Sequence, residues 1–381
     1  MHSLPTASDD APRLLIAASG TGGHVYPAWA TAQQLSHWQV EWLGVPDRME
    51  AKLVAGQYPL HTVSMSGIQG PKVLAWPRSL GQLIQAMLLI RHLLIQGSFQ
   101  GVLTTGGYIA APAILAARSL NLPVILHESN AIPGKVTRWL GSLCTEVLVG
   151  MPEAAVRLSL PPSQVVGTPV RQEFLDPHCP LRPQPRLETL QIPAEAPLIA
   201  VIGGSQGARG LNRWALEAAP SWLEAGAWIV HLTGQTDADE VAKRAPDHPH
   251  YLWFPFWADM AGLLQRADFA VSRAGAVTLA ELAVSGTPAI LVPYPYAAED
   301  HQFHNAQVVV QQGAAVVLRE QNQNLDQFIK TGLQWIQNQN LLQQYQQHVQ
   351  ADLHRQAAQR LAMRIQTHLD PSSSLPDEKK T

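Results

Sequence analysis

The sequence predicts an α/β chain with two successive parallel-sheet domains, and three observations carry that prediction. Short apolar runs alternate with helix-like spacing along most of the 381 residues. Two of these runs end in glycine-rich turns followed by a helix pattern: Leu14–Ala18 leads into Ser19–Gly23, and Leu198–Ile202 leads into Gly203–Gly207. Between the two copies, nine prolines fall in Pro161–Pro197, which disfavours regular structure and marks a domain boundary.

Taken in order, the strand-like runs of the first half are Leu14–Ala18, Gln39–Leu43, Gly101–Thr104, Val124–His127 and Val147–Val149. The second half continues with Leu198–Ile202, Trp228–Leu232, Tyr251–Phe254, Phe269–Ser272 and Ala289–Val292. Runs apolar on every position fit strands buried on both faces, and the rhythm means βαβ units. Ligands in such sheets sit at the carboxyl ends of strands, where the strand order reverses. Tyr345, Val349, Leu353, Ala357, Leu361 and Ile365 recur every four residues, so 340–369 reads as one amphipathic helix or a pair. The glutamines of 321–350 suit a solvated helix surface, and the polar segment 371–381 reads as a disordered tail.

Composition excludes several classes. With 26 basic and 29 acidic residues the net charge is −3, so no basic field argues for nucleic acid. Hydrophobic residues make up 46% of the chain, enough for two substantial cores, and only 14% is charged. Cys144 and Cys179 cannot build a disulfide framework, and no CxxC or Cys/His cluster suggests structural zinc. The segment 1–12 is polar and lacks the apolar core of a signal peptide. No run of 18 apolar residues exists to span a membrane, so the chain reads as cytosolic.

Neither glycine turn is a dinucleotide fingerprint, because Val25 stands where the third glycine should, and Ser205 breaks the second copy. No GxxxxGK[ST] is present, which disfavours an NTPase as well as a dehydrogenase. Glycines let a ligand approach the backbone closely, and the free N–H groups of the following helix favour anionic or oxygen-rich ligands. His24, at the mouth of the first turn, reads as a capping histidine or a working base. Ser272–Leu282 turns through Gly275 and starts a helix near Thr278, which places Glu281 on the first turn. That carboxylate suits a ribose 2′,3′-diol, or else the helix dipole. The polar run Glu299–Ala306 suits sugar hydroxyls, or is a solvated loop.

Seven motifs in register carry a resemblance: Gly20–Pro27, Gly106–Tyr108, His127–Gly134, Gly167–Arg171, Gly203–Arg209, Ser272–Ala276 and His301–Ala306. Together, over roughly residues 14–318, they resemble the MurG family, the N-acetylglucosaminyltransferases of peptidoglycan synthesis. Ser129 and Thr168 depart from the family, which carries a glutamine and an asparagine there; both keep a hydrogen-bonding side chain.

The resemblance implies a GT-B fold, two Rossmann-like domains facing across a cleft. An acceptor- and membrane-facing domain would span 1–168, a donor domain 169–351, and a helix of about 352–370 would pack back on the first domain. The donor would be UDP-GlcNAc, bound by Thr21, Gly22, Gly23, Asn130, Arg171, Ser205, Trp257 (through its backbone), Ala276, Val277, Thr278, Glu281 and Gln302. Arg171 would add a cationic clamp to the pyrophosphate. The acceptor would be lipid I, undecaprenyl-pyrophosphoryl-MurNAc-pentapeptide, and the transfer would invert the anomeric centre. His24 is favoured as the base, with Glu128 as rival and Tyr108 as a positioning residue. No cofactor is implied and no metal site; without a DxD motif, Mg²⁺ would stimulate at most. The enzyme would sit peripherally on the cytoplasmic side of the bacterial inner membrane, with cell-wall synthesis and division proteins as partners. Residues 66–140 suit that place, with six basic residues against Glu128 alone. Within them, Leu83–Ile95 is apolar at ten of thirteen positions, more than one buried face needs, although a core helix covered on both sides has the same composition. A lipid glucosyltransferase or a UDP-GlcNAc 2-epimerase would share the nucleotide half but not the Gly20–Pro27 and His127–Gly134 details. A non-catalytic scaffold would hold the donor without a working base.

Overall fold

The computed structural model describes residues 11–64, 72–176, 179, 185–204, 207–320 and 324–369, with the side chains of 72–79 left aside. The chain forms two compact units. The first runs to Ser129, resumes over Pro133–Pro169 and ends with the chain from Gln356 onward; the second holds Asn130–Ile132 and Val170–Arg355.

The first unit carries β1 (Arg13–Ala17), β2 (Gln39–Gly44), β3 (Leu60–Thr62), β4 (Gly101–Thr104), β5 (Val124–Glu128) and β6 (Glu146–Val149), all parallel, in the order 3-2-1-4-5-6. The second carries β7 (Leu198–Ile202), β8 (Trp228–Leu232), β9 (Tyr251–Phe254), β10 (Phe269–Ser272), β11 (Ala289–Leu291) and β12 (Ala315–Val317), in the order 12-11-10-7-8-9. Counted from its own first strand, the second sheet repeats the topology of the first. Each is a doubly wound Rossmann-like sheet whose order reverses at β1/β4 or at β7/β10, and crevices for ligands open there.

The apolar strands are buried as predicted. In β1, Leu14 and Ile16 enter one core, while Leu15 and Ala17 enter the core on the opposite face. Strand side chains alternate faces, so a run without polar positions fills two cores at once. Around β7, Ile199 and Val201 meet Trp214, Trp222, Phe328 and Trp335. The expected run at 340–369 is three helical pieces, Gln339–Gln347, Asp352–Arg355 and Ala357–Leu369. An exact four-residue repeat drifts by about 40° per step around an α-helix, so one face cannot stay buried for twenty residues. The breaks reset the face. The last piece packs on the helix Gly22–Ala32 and sends Leu361, Ile365 and Leu369 into the core beneath β1, while Asp352–Arg355 belongs to the second unit. Glu146 on the edge strand β6 receives Arg364 and His368 from that terminal helix.

Candidate active site

In the first unit the β1 and β4 turns meet at the strand-order reversal. The β1 turn passes through Gly20, at φ +109°, into the helix Gly22–Ala32. Thr21 stands at its N-cap with extended backbone and no side-chain cap, so Thr21, Gly22 and Gly23 present backbone at the helix start. His24 is tied to the β4 turn twice. Its Nδ1–H donates to the Thr105 carbonyl (2.8 Å), and the Thr105 hydroxyl donates to the His24 carbonyl (2.7 Å). A carbonyl only accepts, so the proton sits on Nδ1 and the lone pair on Nε2. Gly106 and Gly107, at φ +101° and +84°, let the imidazole lie on the backbone; a Cβ on Gly106 would stand 3.0 Å from Cε1 and Nδ1 of His24. Tyr108 follows them and is exposed.

Glu50 completes this corner and is missed by sequence reasoning. Its carboxylate is fully buried and accepts from Gly20 N (3.2 Å) and Val45 N (2.9 Å), bracing the turn from the side of β2. The only signal is Gly44, where a Cβ would meet the Glu50 carboxylate oxygen at 2.8 Å. Glu128 ends β5, and its Oε2 accepts from Gly134 N (2.8 Å) and Thr137 Oγ1 (2.9 Å). It thereby holds the start of the helix Lys135–Leu140 through one of its two carboxylate oxygens.

In the second unit, β10 leads through Ser272–Gly275 into the helix Ala276–Ser285. Ala276, Val277 and Thr278 form its first turn, with no side chain capping their N–H groups. The helix starts two residues earlier than expected, so Glu281 lies in the second turn and the helix-dipole role lapses. Glu281 is buried, and its Oε1 accepts from Arg171 Nη2 (2.9 Å) and Nε (3.3 Å). Burial pushes its carboxyl pKa up, and the Arg171 guanidinium opposes the rise. Arg171 also pairs with Glu173 (3.2 Å) and stacks over Phe174. Its charge is met by two carboxylates, and it holds Glu281 in place. Glu281 Oε2 has no bond among the described residues.

The segment 301–311 is a helix and not a solvated loop, with Gln302 and Asn305 three residues apart on one face. Gln302 Oε1 accepts from Tyr294 N (2.9 Å), which turns its amide N–H₂ away from that loop. Asn305 is fully buried and also missed: it donates to Asn130 Oδ1 (3.1 Å) and the Ala274 carbonyl (3.2 Å) and accepts from Ala131 N (2.8 Å). It fastens Asn130 to the β10 turn. Trp257 is buried, its ring against Phe254 with centroids 4.8 Å apart, which closes its side chain to a ligand. Ser205 lies outside the described residues.

Comparison with known proteins identifies the family of the chain. The model of the glycosyltransferase family 28 N-terminal domain matches residues 14–149, and that of its C-terminal domain matches 198–361. A relative from Synechococcus sp. (strain JA-2-3B'a(2-13)) is 58% identical over 355 residues, covering 93% of this chain and 95% of the relative. One from Gloeobacter violaceus is 55% identical over 305 residues, 80% and 84% of the two chains. Both are named UDP-N-acetylglucosamine--N-acetylmuramyl-(pentapeptide) pyrophosphoryl-undecaprenol N-acetylglucosamine transferase. The crystal structure of Acinetobacter baumannii MurG superposes with a TM-score of 0.74 at 30% identity, over 93% of this chain and 99% of that one. A putative UDP-N-acetylglucosamine 2-epimerase from Listeria monocytogenes, at 13% identity and a TM-score of 0.69, shares the fold alone. Matched by both domains of the family model and by relatives above one-half identity along most of its length, the chain belongs to glycosyltransferase family 28, in its MurG branch.

Proposed function

We propose that the enzyme transfers GlcNAc from UDP-GlcNAc to the 4-hydroxyl of MurNAc in undecaprenyl-pyrophosphoryl-MurNAc-pentapeptide, forming lipid II with inversion. The observation that carries this reading is the identity above 50% to relatives whose names state that donor and acceptor. The geometry supports the chemistry. His24, with its proton pinned on Nδ1, offers Nε2 to the acceptor hydroxyl. As that oxygen attacks C1 of GlcNAc, the sugar passes through an oxocarbenium-like state, the bond to UDP breaks, and His24 keeps the acceptor proton. The glycine turn after β7 and the first-turn amides of Ala276–Ser285 supply donors for charge on the departing UDP. On this reading Glu281 Oε2 accepts from the ribose diol, and the Gln302 amide donates to a GlcNAc hydroxyl. We assign no obligatory metal. The test is UDP release in EDTA, which the reading expects to require lipid I and to be lost when the acceptor is omitted.

The same reading places the enzyme peripherally on the cytoplasmic side of the inner membrane. No helix among the described residues is long and apolar enough to cross a bilayer. Helix Lys72–Gln96 instead exposes Leu80, Ile84, Leu88, Leu89 and Ile95, each about half accessible, with Arg91 among them. Its neighbour Ala110–Ser119 packs in turn on Lys135–Leu140, where Trp139 is exposed next to Arg138. Apolar side chains flanked by Lys and Arg suit an anionic bilayer surface. Lys72, Trp76 and Arg78, on the first turns of the same helix, have side chains outside the described residues.

A further inference from the structure

Behind the glycine turn of the second unit lies a buried polar chain that the transfer mechanism does not use. The Asp237 side chain follows β8 and is 6% exposed. Its Oδ1 accepts from Arg209 Nε (3.2 Å), and its Oδ2 accepts from Asn212 Nδ2 (3.1 Å). Gly207, at φ +81°, passes so close that a Cβ there would stand 2.9 Å from the same Oδ2. Asn212 Nδ2 also donates to the Thr233 carbonyl (2.9 Å). Because the carboxylate and the carbonyl only accept, the Asn212 amide is oriented, and its Oδ1 faces His231 Nε2 at 3.0 Å. His231 therefore donates from Nε2 and accepts at Nδ1, where the Tyr251 hydroxyl donates (2.6 Å). Every bond in the chain has one direction.

Burial pushes His231 down to about 3, and it pushes the Tyr251 hydroxyl up. A core of this kind rigidifies what it touches, since any partner lost leaves a buried polar group unpaired. What it touches is the turn: Gly207 rests on Asp237, and Arg209 and Asn212 stand on the first turn of the helix Arg209–Glu224. A cation at the first helical position opposes the helix dipole, and Asp237 offsets that cost. The Arg209 side chain is otherwise 80% exposed, with its two terminal amino groups unengaged among the described residues.

We propose that Asp237, backed by Asn212, His231 and Tyr251, is a positioning residue that holds Gly207, at the end of the glycine turn after β7, and Arg209 where they receive the donor's diphosphate. The inference rests on the reading of that turn as part of the UDP-GlcNAc site. The measurement is the affinity of wild type and Asp237→Ala for UDP and for uridine, alongside KM and kcat for UDP-GlcNAc. The expected result is about tenfold weaker UDP binding with a parallel rise in KM, unchanged uridine binding, and little change in kcat. Asp237→Asn, which keeps the shape and one acceptor, should recover part of the loss. UDP affinity unchanged in Asp237→Ala while its melting temperature falls would overturn the proposal and leave the chain a fold element. If wild type itself bound UDP no more tightly than uridine, the donor-site reading beneath it would fail instead. Should Asp237→Ala not fold, Tyr251→Phe removes one hydroxyl at the far end and is expected to weaken UDP alone, by about threefold; an unchanged UDP affinity there would overturn the proposal equally.

Discussion

Replacing His24 by asparagine separates the two tasks this residue could have. The imidazole donates from Nδ1 to the Thr105 carbonyl at 2.8 Å, and an asparagine amide can place an N–H close to the same point. The variant therefore keeps the bond between the two turns while losing Nε2. If His24 were only structural, losing even the whole hydrogen bond would cost about 0.5–1.5 kcal/mol, or about 2- to 12-fold. Removing a general base costs about 10²–10⁴ in kcat. The two ranges do not overlap, so the size of the effect decides. The assay follows transfer from labelled UDP-GlcNAc to lipid I, with UDP affinity and melting temperature measured in parallel. We expect kcat to fall at least a hundredfold in His24→Asn, with melting temperature near wild type and UDP binding intact. Turnover within tenfold of wild type would refute the reasoning and transfer the base to another group, with Glu128 examined next.

Other perturbations follow from the same geometry. Glu281→Gln keeps the volume and an acceptor for Arg171 but loses the charge; the KM for UDP-GlcNAc should rise about 10-fold or more, from weaker charged hydrogen bonds to the ribose, whereas Glu281→Ala should also lower the melting temperature by exposing Arg171 to a broken buried pair. Gly106→Ala forces a side chain into a left-handed backbone and against the imidazole, so stability should drop by about 1–3 kcal/mol and kcat with it, read by thermal melting and steady-state kinetics. Ile84→Gln with Leu88→Gln removes two half-exposed apolar side chains worth about 1 kcal/mol each at an interface, so sedimentation with anionic vesicles should weaken about 25-fold while UDP affinity is unchanged.

The parts legible in the sequence are those set by local pattern. The apolar runs of β4, β7, β8, β9 and β10 are strands over the expected residues, because a short run dominated by apolar residues between turns marks a strand locally. Leu60–Thr62 and Ala315–Val317 escape notice, since three residues on a sheet edge are too short to show a period. The glycine turns and His24 were visible because conformational need and chemistry coincide in one short stretch. Glu50 and Asn305 were not, because their partners at Gly20 and Ala131 lie 30 and 174 residues away, and no periodicity encodes a contact of that separation. The ion pairs of Arg171 are hidden for the same reason: Glu281 lies 110 residues away in the chain, and only the fold brings it to the guanidinium.

The most direct test of the central claim is the structure of the product. Purified enzyme is incubated with UDP-[¹³C]GlcNAc and lipid I, and the labelled product is examined by NMR. The account predicts one new β-(1→4) linkage from GlcNAc to MurNAc, formed in step with UDP release. Conversion of the donor to its 2-epimer, retention of the α configuration, or no transfer to lipid I would contradict it.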